Sequence, residues 1–182
     1  MTYTSIVLAL LMLTPQVASQ PEEQLPTAVA THHAPMAGIT VVGGDAERQR
    51  VENATAVFAT LGMSLPNLEI RFWDDRAKCN GYLGWFSPSS LPWSIDICSE
   101  MAMIIPHELS HAWERATLTD ADRHTYMEAR GFDVWQDLAL DPNLTAIENV
   151  ALVIQQVISK GGPTGRTDID PPFDLLITLT TN

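Results

Sequence analysis

Residues 107–111 read His-Glu-Leu-Ser-His. Positions four apart on a helix differ by only about 40° in direction, so the two imidazoles of His107 and His111 share one face. Both can reach a single zinc ion, which takes imidazole nitrogen at about 2.1 Å. A histidine pair on one rigid helix loses little entropy when it closes on a cation. Glu108 projects beside the pair, where it can accept a proton from water whose pKa zinc lowers to about 7. This is the physical content of the H-E-x-x-H spacing. Random placement of this composition spells the pattern in about one of a hundred or more such chains, so its surroundings must add weight. They do: Ile104, Ile105, Leu109, Ala112 and Trp113 flank it, an apolar setting that two solvated histidines do not need.

A catalytic zinc takes three protein ligands and keeps one position open. Thr117 stands where a third histidine of the metzincin pattern would be, and His124 lies too far along. Glu114 shares a face with His111 but sits two turns from His107. Three ligands in a row on one helix close poorly around a tetrahedral ion. Glu148, in Ala-Ile-Glu-Asn-Val-Ala-Leu-Val, is the remaining candidate. It is bordered by Ile147, Val150 and Ala151, and a glutamate in apolar surroundings is rare unless paired or metal-bound. The alternative is a solvated glutamate on a helix face. Tyr126 and His124 are candidate donors to a developing oxyanion, with packing and surface roles as the plainer readings.

The elements that must position these groups follow from periodicity. Residues 38–44 form a short strand-like run. Residues 45–61 repeat apolar positions at three and four, with Asp45 as a cap and Gly62 past the end. Leu68 to Trp73 alternate as a half-buried strand does, and their edge offers a peptide a strand to pair with. Residues 74–93 read as loop and 94–98 as a second short strand. Ser99 caps a helical pattern running to Leu118. Pro106 either sits in the first turn of a helix starting near Ile105 or kinks a longer one. Thr119 opens a helix to Arg130, with Asp122 in a capping-box position and Gly131 after it. Residues 132–140 read as a turn plus a short buried segment. A final helix spans 142–159, stopped by Gly161-Gly162, and the Leu-Leu-Ile-Thr-Leu run near the end is left unassigned. Strands early and helices late give an α+β fold.

The chain has 182 residues, enough for one domain with processed ends, and a net charge of −12. That balance argues against nucleic acid, which needs a basic face, and against an anionic membrane surface. The run Ile6–Leu13, followed by Pro15 and the small residues Val17-Ala18-Ser19, reads as a signal peptide over 1–19, too short to span a bilayer. No Lys or Arg precedes that run, and a buried N-terminal helix is the alternative. Residues 20–38 read as a flexible lead-in, with His32-His33 solvated, and 39–182 as the domain. Location is then secreted or periplasmic. Cys79 and Cys98 are the only cysteines, and in an exported chain two cysteines nineteen apart most often pair, with two separate buried thiols as the alternative. Asn53 and Asn143 open glycosylation sequons.

These features resemble zincin metallopeptidases of the gluzincin type. More closely, the chain looks like small secreted bacterial HExxH proteins. The matching stretches are Cys79, the strand ending at Cys98, His-Glu-Leu-Ser-His-Ala-Trp (107–113), Leu-Thr-Asp-Ala-Asp-Arg (118–123), Trp135 and Ile-Glu-Asn-Val-Ala (147–151). The resemblance implies zinc on His107, His111 and Glu148, with Glu108 as general base in a peptidase acting on peptides or proteins. The chain departs from the pattern at Pro106, and no N-E-x-x-x-D string surrounds Glu148. A non-catalytic zincin-like domain with a structural or partner-binding metal is the alternative, with Glu114 or His124 as a fourth ligand.

Overall fold

A computed structural model describes residues 38–89, 91–136, 145–159 and 171–181. The signal segment, the lead-in with His32-His33, the Asn143 sequon, the start of a helix at 142 and the Gly161-Gly162 stop lie outside these residues.

The fold is α+β. Strands β1 (Ile39–Val42), β2 (Leu68–Phe72), β3 (Gly84–Ser87) and β4 (Trp93–Ile97) form one sheet in the order β1-β2-β4-β3. The first three in that order are parallel, and β3 runs antiparallel to β4. Helix α1 (Asp45–Thr60) links β1 to β2. After the sheet come α2 (Ile104–Thr117), α3 (Asp120–Arg130), α4 (Ala146–Ser159) and α5 (Pro171–Thr180).

Register fixes which face is buried, because side chains alternate along a strand. Leu68 and Ile70 of β2 stand beside Ile39 and Val41 on one side and Trp93 and Ile95 on the other. That row packs under α1 and α2, with Phe58, Leu109 and Trp113 at most 2% exposed. Each fully buried side chain of this kind contributes about 1.5–3 kcal/mol. The other face is half polar. Arg71 Nε lies 3.0 Å from Asp96 Oδ1, and Trp73 Nε1 donates to the same oxygen at 2.6 Å.

Four expectations are corrected. The 74–93 stretch is not all loop. It holds a 3-10 turn at Arg76–Cys79 and the whole of β3. The Leu68–Trp73 run cannot accept a peptide, because β2 is interior and paired on both sides; among the described residues the sheet edges are β1 and β3. Ser99 caps no helix. Helix α2 begins at Ile104, so Pro106 falls in the first turn, where its missing N–H costs no helical bond. Asp45 is the first helical residue of α1, with Gly44 at the cap. Elsewhere the local chemistry holds: Thr119 and Asp122 form the capping box of α3, and Gly131 ends that helix at φ 72°.

Among the described residues four helices rather than three follow the sheet, since the unassigned terminal run lies in α5 behind Pro171 and Pro172. No helix among the described residues is long and apolar enough to cross a membrane. Cys79 and Cys98 are disulfide-bonded, consistent with an extracellular location.

Candidate metal centre

Helix α2 is buried almost all round, from Ile105 to Glu114. His107 and His111 project toward α4, their rings 4.8 Å apart and edge-to-face at 89°. Glu148, in the first turn of α4, meets both. Its Oε2 lies 3.2 Å from His107 Nε2 and its Oε1 lies 3.5 Å from His111 Nε2. Ligand bonds of about 2.1 Å at tetrahedral angles set donor atoms about 3.4 Å apart. The three donors lie within 4.8 Å of one another, so two imidazoles and a carboxylate fit a zinc-sized cation with little movement. They form the one group of three or more such side chains found among the described residues.

What holds Glu148 there is a backbone cap. The first N–H groups of a helix lack internal partners. In α4 the N–H of Ala146 donates to Val134 O at 3.1 Å and that of Ile147 to Trp135 O at 3.0 Å. Trp135 is itself gripped. The Arg123 guanidinium lies 5.6 Å over its ring, and Tyr126 meets it edge-to-face at 6.3 Å.

Electrostatics divide the groups. Burial, reinforced by the neighbouring His107, pushes His111 down to about 4, so it stands neutral with a lone pair to give. Burial also lowers His107, but the Glu148 hydrogen bond, the charges of Glu108 and Glu148 and the Gln155 hydrogen bond outweigh it, and the net direction is up. For Glu148, burial raises the pKa, yet the His107 hydrogen bond and both imidazoles carry it below its ordinary value. Glu108 is pushed up to about 7, chiefly by burial and also by Glu148, against the pull of His107 and the Phe86 backbone N–H.

Glu108 reaches past the histidines to β3. A Cβ built on Gly84 would lie 2.5 Å from Glu108 Oε1 and 2.7 Å from its Cγ, so only a glycine leaves room for this carboxylate. The result is a cleft of about 500 Å³. The 82–88 stretch forms one wall, Ile104 and Ile147 contribute apolar surface, and His107, Glu108, His111 and Glu148 face into it.

The other sequence candidates lie elsewhere. Tyr126 is fully buried and donates its hydroxyl to Asn149 Oδ1 at 2.8 Å. His124 is exposed, 3.2 Å from Glu128. Glu114 is buried against Arg123, with Nε to Oε2 at 3.5 Å. None of the three lines the cleft, so neither the oxyanion role nor a fourth ligand falls to them.

Sequence reasoning missed three contributors. Gln155 carries a signal, because seven residues after Glu148 is two helical turns, on the same face. Gly84 and the β3 wall carry none, since they depend on how the sheet meets α2. Comparisons with protein-family models, curated proteins and solved structures find no match to this chain.

Proposed function

We propose that the protein is a secreted zinc-dependent hydrolase of the zincin type that cuts peptide bonds. One observation carries this reading: His107, His111 and Glu148 converge at a cleft into which a buried carboxylate, Glu108, also points. Three protein donors leave a tetrahedral ion one position open, which is the arrangement of catalytic rather than structural zinc. Glu114 and His124, the rivals for a fourth ligand, face away.

Zinc, when bound, polarises a carbonyl and acidifies water. The protein residues do the rest. Glu108 takes the proton of the attacking water on a carboxylate oxygen and delivers it to the departing amine. Its raised proton affinity suits both halves of that task. An extended peptide has an edge to lie on. Cys98 N–H donates to Leu83 O, so the odd-numbered residues of this strand pair with β4. The backbone groups of Gly84 and the carbonyl of Phe86 then face outward, along the cleft, while the Phe86 N–H serves Glu108. The net charge of −12 supports a peptide or protein substrate over nucleic acid. The disulfide and the Ile6–Leu13 run support export.

Elemental analysis of the purified protein tests the metal, with about one zinc per chain expected. Turnover of a flexible, unfolded protein substrate tests the activity. Glu108→Gln should keep the zinc and lose at least about a hundredfold in turnover. A protein without zinc, or a Gln variant as active as the wild type, overturns the reading.

A further inference from the structure

We propose that Gln155 is a positioning residue of the metal centre. Its amide oxygen fixes the His107 ring by accepting the Nδ1–H, and so sets the affinity for a divalent cation. The inference rests on the metal-centre reading above.

His107 Nδ1 lies 3.2 Å from Gln155 Oε1. A carbonyl oxygen only accepts, so this contact puts a hydrogen on Nδ1. Without a metal, Nε2 faces the Glu148 carboxylate at 3.2 Å and donates to it; a cation that takes Nε2 displaces that hydrogen, and the ring keeps the one that Gln155 holds on Nδ1. An outer partner of this kind holds a histidine ligand in its working tautomer and orientation, and its loss typically weakens metal binding 10–100-fold.

Two features make Gln155 the residue on which this depends. The second imidazole has no such support: among the described residues, buried His111 Nδ1 has no hydrogen-bond partner. A side-chain acceptor behind the ring is thus seen only at His107 among the described residues. Glu148 and Gln155 also come from the same helix, α4, two turns apart. One rigid element thus supplies both a ligand and the group that aims another. A neutral amide does this without adding a third negative charge to a site that already holds Glu108 and Glu148.

The test is zinc affinity, measured on the full chain by competition with a chromophoric chelator, for wild type, Gln155→Leu and Gln155→Glu. A parallel readout is proton–nitrogen NMR of the zinc-loaded protein, following solvent exchange of the His107 Nδ1 hydrogen. The expected result is a wild-type His107 Nδ1–H signal protected from exchange. Gln155→Leu should bind zinc at least tenfold more weakly and lose that protection, with its circular dichroism unchanged. Gln155→Glu keeps the acceptor and should bind at least as tightly as wild type with the protection retained; it carries the test if the Leu variant does not fold. A Leu variant within twofold of wild type, or a Glu variant that binds more weakly, overturns the role of Gln155 alone. A wild-type protein that binds no zinc overturns the metal centre as well.

Discussion

At the scale of single residues, the centre depends on a glycine as much as on its acids. Glu108 lies against the backbone of Gly84, and a methyl group there would sit 2.5–2.9 Å from three atoms of its side chain. Backbone cannot yield as a flexible side chain can, so Gly84→Ala must swing the carboxylate out of place. The expected outcome is zinc content near wild type with kcat lower by about a hundredfold or more, read by metal analysis beside steady-state kinetics. Glu114 gives a second residue-scale prediction. Burial, partly countered by Arg123 and Arg115, pushes it up to about 7 from an ordinary 4.5. The folded state therefore holds its proton where the unfolded chain has released it. Below pH 4.5 both states are protonated and there is no penalty. As pH rises through 7 the folded protein must ionise a buried acid, a cost of up to ~3 kcal/mol. In chelator, urea unfolding should show Glu114→Gln gaining stability relative to wild type from pH 5 to 8; a constant difference would refute this. The histidine pair was legible because i, i+4 spacing encodes a shared face. The role of Gly84 was not, because nothing local tells a glycine which helix will cross it.

At the scale of elements, the first turn of α4 decides where Glu148 stands. Its free N–H groups are held by the carbonyls of Val134 and Trp135, and Trp135 is clamped by Arg123 and Tyr126. Trp135→Ala removes the clamp without touching a ligand. It should cost about 2 kcal/mol in urea unfolding, less than a fully buried tryptophan because Trp135 is only half-buried. Zinc affinity should fall with it, whereas Arg130→Ala, at an exposed position on the far end of α3, should change neither. Helix ends were the readable part of these elements. The Thr119–Asp122 box and Gly131 follow from capping chemistry alone. The start of α2 was readable as one of two choices, because a proline is tolerated in the first turn and a helix starting near Ile105 puts Pro106 there; the Ile104 start is that choice. The existence of β3 was not readable, because it pairs with β4 although Gly84 opens it and Pro88 follows.

At the scale of the whole molecule, α+β order was legible because helical and strand periodicities do not overlap. The association of the layers was not, and it leads to a separation of effects. The Cys79–Cys98 bridge joins residues 19 apart in sequence and encloses the whole of β3 and β4. The metal ligands lie outside that loop, on α2 and α4. Removing the bridge with Cys79→Ser and Cys98→Ser together relaxes the unfolded chain and should cost about 3 kcal/mol of stability. If zinc binds the folded state alone, as the proposed function requires, then at a free concentration of 100 times Kd it adds ~2.7 kcal/mol whether or not the bridge is present. The double variant should therefore unfold earlier in urea yet show nearly the same zinc-dependent gain. Turnover should behave differently, because the wall that seats Glu108 and offers the outward edge of Gly84 and Phe86 belongs to the released loop. Loss of turnover with zinc affinity preserved would assign the sheet edge to substrate and general base, and the helix pair to the metal. An equal loss of both would mean that the two halves of the centre do not divide along these elements.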